Sequence, residues 1–130
     1  MARVDCALDA AMEVIEGRWK TTIICMLYMN GPMRFSQLQS KIGMVSARML
    51  SKQLKELEAD RMILRNEVVK GGVRVEYSLT SKGESIIPAL KQLACWSLDN
   101  QMINVIVPED ESHPLFVTQQ DVDRFVSGED

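Results

Sequence analysis

Residues 46 to 82 constrain the fold more than any other stretch of the chain. Ser46 opens an amphipathic helix that runs through Asp60, with Leu50, Leu54 and Leu57 at i, i+4 and i+7 as its buried stripe. Two β-rich runs follow, Met62 to Val69 and Arg74 to Leu79, joined by Lys70-Gly71-Gly72-Val73. The glycines supply the positive φ that a tight connection needs. A helix with a basic polar face that runs into a two-stranded hairpin predicts a winged helix-turn-helix, mainly α with a small β-hairpin wing.

The rest of the chain fits that frame. Residues 7–16 place Leu8, Ala11, Met12 and Ile15 at helical spacing, and Gly17 ends the run. A strongly apolar second helix is expected over 18–29, stopped by Asn30-Gly31-Pro32. Arg34-Phe35 reads as a short strand and 36–42 as a third helix, with Phe35, Leu38 and Ile42 facing inward. Gly43-Met44-Val45 is the turn, and Ser46 is a good N-cap for the fourth helix. Thr80 can cap a long final helix from Ser81 to about Met102, which Pro88 is expected to kink. The domain division is therefore 1–103 as one unit for DNA binding and dimerisation. An acidic tail follows over 104–130, with a short helix at 119–126 introduced by Thr118-x-x-Asp121.

Composition removes several classes. At 130 residues the chain is long enough for one core and short for two. No apolar run approaches bilayer length, and Asp5, Asp9 and Glu13 precede any apolar stretch, so neither a membrane span nor a signal peptide is expected and a cytoplasmic protein is the default. Cys6, Cys25 and Cys95 are odd in number, widely spaced and contain no Cys-x-x-Cys pair. A disulfide framework and a structural zinc site are both disfavoured. The sole histidine, His113, lies in the acidic segment, and no nucleophile elbow, phosphate loop or His-Glu-x-x-His is present. No enzyme, cofactor or metal site is expected.

A net charge of −3 looks wrong for a nucleic-acid binder, but the distribution resolves the conflict. Residues 34–91 hold eleven Lys and Arg against six Asp and Glu; residues 99–130 hold one Arg against eight acids. DNA responds to the local field at the docking face, so the tail should lie away from it. The second helix of a helix-turn-helix enters the major groove with its first residues at the base edges. Here those are Ala47, Arg48 and Met49 after Ser46, with Ser51, Lys52 and Lys55 following. Arg48 can bridge two acceptors of a guanine, while Lys52 and Lys55 suit phosphates. Arg34 and Ser36 lead the preceding helix, and Lys70 and Arg74 flank the wing tip. A solvated charged face is the commoner meaning of such a helix; the hairpin after it shifts the balance towards DNA.

The final helix carries more apolar surface than one stripe requires, which suggests two partners, its own core and a second copy. Leu8 and Met12 from the first helix, with Ile87, Leu90, Ala94 and Leu98 from the last, are the expected dimer interface. The alternative is a last helix buried wholly within one small domain. Cys6 sits at a helix start, where backbone N–H groups and the dipole favour a thiolate, while Asp5 and Asp9 oppose it. An ordinary unreactive thiol is the plainer reading, and Cys25 and Cys95 read as packing.

Taken together, Cys6, Leu8 through Ile15, Gly17-Arg18-Trp19-Lys20, Gly31 through Leu38, Ser46 through Leu50, Leu54 through Asp60, and Val75 through Thr80 with Gly83 resemble the HxlR-type transcriptional regulators. The resemblance covers roughly residues 6 to 98. It implies a winged helix related to MarR-type regulators, a dimer built from terminal helices, and a cytoplasmic prokaryotic repressor or activator. It also implies that Cys6 stands near the position of a cysteine that senses oxidants or electrophiles in some members. This chain has Ala7 where a proline usually follows that cysteine, and Lys70-Gly71-Gly72 in place of a proline-containing wing. The expectation is a homodimeric regulator of a palindromic or repeated double-stranded DNA operator, with no membrane contact and an unknown small-molecule effector. The competing expectation is a protein–protein adaptor on the same scaffold.

Overall fold

The computed structural model describes residues 6–100 and 119–128. The elements run α1 (Ala7–Ile15), α2 (Lys20–Asn30), α3 (Phe35–Ile42), α4 (Ala47–Ala59), β1 (Ile63–Val68), β2 (Arg74–Leu79), α5 (Ser81–Ser85), α6 (Ile87–Asp99) and α7 (Gln119–Ser127). The strands pair antiparallel, from Ile63 opposite Leu79 to Val68 opposite Arg74. This is a winged helix-turn-helix, as the sequence predicts.

The core forms around α2. Ile23, Ile24, Leu38, Leu50, Leu57 and Ile63 are completely buried, and Leu54 and Met62 nearly so. Each such side chain contributes roughly 1.5–3 kcal/mol by leaving water. The three leucines of α4 are the stripe read from their spacing, and they pin that helix to the domain. Met33 joins the sheet by a backbone pair with Tyr77, at 3.0 and 2.8 Å. That single bridge stands where a short strand was expected at 34–35. Phe35 already belongs to α3, because the Arg34 backbone amide donates to Gln37 Oε1 at 2.9 Å and starts the helix one residue early.

Two further boundaries differ from expectation. The second helix begins at Lys20 rather than at 18, because Gly17 (φ 138°) and Trp19 (φ 80°) take left-handed conformations that cannot extend a right-handed helix. The expected long helix after Thr80 is two helices meeting at Ile86. Pro88 has no N–H for the Glu84 carbonyl, and its ring crowds that carbonyl, so the ladder breaks rather than bends. Thr80 does cap the first piece, accepting from the Gly83 amide at 2.9 Å. A Cβ at Gly83 would land on the Met62 carbonyl, so only glycine lets α5 sit this close to the wing.

The segment 104–118 lies outside the described residues, but the helix expected at 119–126 is present as α7. It packs on α6 and on Tyr28 of α2. Val122 and Phe125 are buried, and Phe125 meets Tyr28 edge-on at 6.1 Å. Lys91 braces the seat. It donates to Tyr28 Oη at 3.0 Å and to the Val126 carbonyl at 3.3 Å, which places a cation at the negative end of α7.

Candidate nucleic-acid interface

Gly43, at φ 80°, closes α3 and turns the chain towards α4. Val45 is buried in the turn and anchors it. Ser46 then stays extended while its Oγ accepts from the Met49 amide at 3.1 Å, satisfying one of the free donors of the first turn. Successive residues of α4 rotate by about 100°, so its residues fall into four stripes, one of them Ala47, Ser51 and Glu58. Leu50, Leu54 and Leu57 form the core stripe. Arg48, Lys52 and Lys55 form a second, and all three are exposed. Met49, Gln53 and Glu56 form the third, on the flank between them.

The wing projects past the core: from Leu64 to Glu67 the residues of β1 are exposed. At its tip Gly71 and Gly72 have φ of 80° and 109°, and the Gly72 amide donates to the Val69 carbonyl at 3.1 Å. Lys70 is exposed. Arg74 is engaged within the wing, donating to the Lys70 carbonyl at 2.9 Å and pairing with Glu76 at 3.2 Å. Its guanidinium therefore stiffens the tip.

The expected DNA-facing residues thus divide. Arg48, Lys52 and Lys55 share one exposed stripe; Ala47 and the backbone of Ser46 lie at its open end; Arg34 and Ser36 are exposed at the start of α3. Ser51 is half-buried on the far side of the basic stripe from Gln53. Met49 is also half-buried, packs against the core, and its sulfur accepts from Gln53 Nε2 at 3.3 Å. Arg65 on β1 is a further exposed cation, one that the sequence pattern does not single out. Alternation along the strand placed it on one face, but which part of that face the core covers is not written in the strand itself.

The expected dimer residues divide as well. Leu8 and Met12 are 75% and 50% exposed on α1, where seven of nine residues are exposed. Ile87 and Leu90 are a correction: they are 3% and 6% exposed and belong to the chain's own core, because the break at Ile86 turns that face of α6 inward against α2. Ala94 packs partly on the same core, and Leu98 is half-buried. The open apolar positions of α6 are Leu93 and Trp96, 53% and 55% exposed.

Cys6 caps α1 from an extended conformation and is exposed. The backbone amides of Asp9 and then Leu8 face the sulfur without closing a cap hydrogen bond, and they lower its pKa. Burial does the opposite to Cys25, pushing it up to about 12. Cys95 is half-buried. Among the described residues no cluster of His, Cys, Asp and Glu has the makings of a metal site, and no helix is long and apolar enough to cross a membrane.

This arrangement has relatives. Residues 14–104 match the family of HxlR-like helix-turn-helix proteins. An HTH-type transcriptional regulator of Halalkalibacterium halodurans, itself uncharacterised, is 40% identical over 97 residues, 75% of this chain and 86% of that one. The reduced form of the transcriptional regulator YodB from Bacillus subtilis superposes with a TM-score of 0.64 at 30% identity, over 72% of this chain and 92% of that one. YodB is also known in a quinone-bound form. The reduced form of the redox regulator HypR superposes at 0.65 and 31% identity, over 74% of this chain and 94% of that one.

Proposed function

The chain belongs to the HxlR-like helix-turn-helix family of transcriptional regulators, and on that premise we propose that it works as a homodimer that reads a palindromic or repeated operator in double-stranded DNA. The observation that carries this reading is the exposed stripe of Arg48, Lys52 and Lys55 on a helix whose opposite side, Leu50, Leu54 and Leu57, is buried in the core. A major groove admits one α-helix, and this one offers it three cations on one exposed stripe. In the proposed complex Arg48 meets a base edge, while Lys52, Lys55, Lys70 and Arg65 meet phosphates. Arg34 and Ser36 approach the backbone from the start of α3.

Dimerisation rests on the uncovered apolar positions of α1 and α6. A helix of nine residues is marginal alone in water. With Leu8 and Met12 exposed, α1 gains a reason to stay helical if a second copy covers them together with Leu93 and Trp96. Such a dimer acts in the cytoplasm, where its operator is. Cys6 is the proposed sensor of oxidants or quinone-like electrophiles, supported by its exposure, its lowered pKa and its helix-start position.

Selection from a random-sequence duplex library tests the reading. The protein should enrich a two-fold or repeated motif and bind it less tightly as salt rises, because bound phosphates release counterions. Enrichment of nothing at low salt would favour the adaptor. Quinone treatment should lower affinity for the enriched duplex in the wild type and leave Cys6→Ser unchanged; equal loss in both would clear Cys6 of the role.

A further inference from the structure

Several unfavourable features meet where α1 passes into α2. Trp19 holds φ at 80°, a conformation that costs a bulky residue on the order of 1–3 kcal/mol. Lys20 follows it and is only 3% exposed. Burying an ammonium is expensive unless it is paired, and here Nζ lies 2.8 Å from Glu56 Oε1. Gln53 is 4% exposed, and its Oε1 has no hydrogen-bond partner among the described residues. Gly17 packs so closely that a Cβ there would come within 3.1 Å of that oxygen and of the Lys20 side chain. A methionine or leucine at 20 and at 53 would remove the desolvation cost of both. Stability alone therefore does not account for these residues.

Where Lys20 meets α4 does. Gln53 and Glu56 belong to the flank stripe, about 100° from the leucines and about 100° from Arg48, Lys52 and Lys55. A leucine stripe holds a helix down but resists rotation about its axis weakly, because apolar contact has no direction. A charged hydrogen bond on the flank has direction.

We propose that Lys20 is a positioning residue for DNA reading: paired with Glu56 and packed beside Gln53, it fixes the rotation of α4 so that the Arg48, Lys52 and Lys55 stripe faces outward. The proposal rests on the DNA-binding function above and adds the residue that sets the aim of the helix. Lys20 touches no DNA in this account. Base contacts need that aim, whereas phosphate contacts by flexible lysines tolerate some rotation.

The test uses the full chain, the duplex enriched by the wild type, and an unrelated duplex of equal length. Lys20→Met should fold, keep its affinity and salt slope on the unrelated duplex, and lose at least tenfold in the ratio of specific to non-specific affinity. Lys20→Arg, which can still pair with Glu56, should restore most of that ratio. Glu56→Ala, at a half-exposed position, should lower it as well despite the stability lost by unpairing Lys20, and serves if Lys20→Met does not fold. A folded Lys20→Met or Glu56→Ala with the wild-type ratio overturns the positioning role and leaves the DNA reading standing. A wild type that enriches no duplex overturns both.

Discussion

Arg48 and Lys55 lie on one stripe but are expected to fail differently when removed. Arg48→Ala should weaken specific binding by about 1–3 kcal/mol, the usual value of a good base contact. Lys55→Ala should weaken binding to every sequence and flatten the salt slope by about one. Titration of the enriched and unrelated duplexes at several salt concentrations separates the two. Glu56 offers a check that needs no DNA. Its hydrogen bond from Lys20 holds the carboxyl below the usual range. The pair therefore stabilises the fold above the unfolded-state pKa of about 4.3, and that contribution fades as pH falls through the lowered folded value. Urea unfolding should show Glu56→Gln less stable than the wild type by a steady margin above about pH 5, closing under acid conditions. A margin that widened as pH fell would contradict the pairing.

At the scale of elements, most of the fold was legible because its signals are local. Ser46, Thr80 and the glycines of the wing act on their own neighbours, and the leucine stripe of α4 is a matter of spacing. What was not legible depends on distant partners. Nothing near residue 125 announces that Phe125 will meet Tyr28, or that Lys91 will hold both. The burial of Lys20 depends on Glu56, 36 residues away in the chain. The apolar positions of α6 could be counted, but which stripe the core takes depended on where Pro88 breaks the helix; Ile87 and Leu90 therefore changed sides. Arg74 flanks the wing tip in the sequence, but its partners, Glu76 and the Lys70 carbonyl, appear only once the hairpin closes. The docking of α7 carries its own prediction. Phe125→Ala should release α7 without unfolding the domain, since the family match ends at residue 104. Amides of α7 should then exchange rapidly while those of α2 and α4 stay protected. Cys25, which lines the same groove as Phe125, should become open to thiol reagents in a Cys6→Ser, Cys95→Ser background. Unchanged exchange in α7 would show that Phe125 does not hold it.

For the whole molecule, the charge asymmetry, the open apolar stripes and the exposed basic helix fit one assembly. Two copies joined through α1 and α6 would cover Leu8, Met12, Leu93 and Trp96 and present two α4 helices to one face of a duplex. Sedimentation at micromolar concentration should report roughly twice the chain mass of 14.7 kDa. Replacing Leu93 and Trp96 with Lys should shift it towards the monomer while leaving the fold intact, because neither residue is buried. A symmetric pair of α4 helices reading DNA would leave its mark in hydroxyl-radical and methylation footprinting of the complex on the enriched duplex. Two protected major-groove patches are expected about one helical turn apart, or a multiple of it, on one face of the duplex, both lost together in Arg48→Ala. A single protected patch bound by one chain, or protection that survives removal of Arg48, Lys52 and Lys55 together, would contradict reading by such a pair.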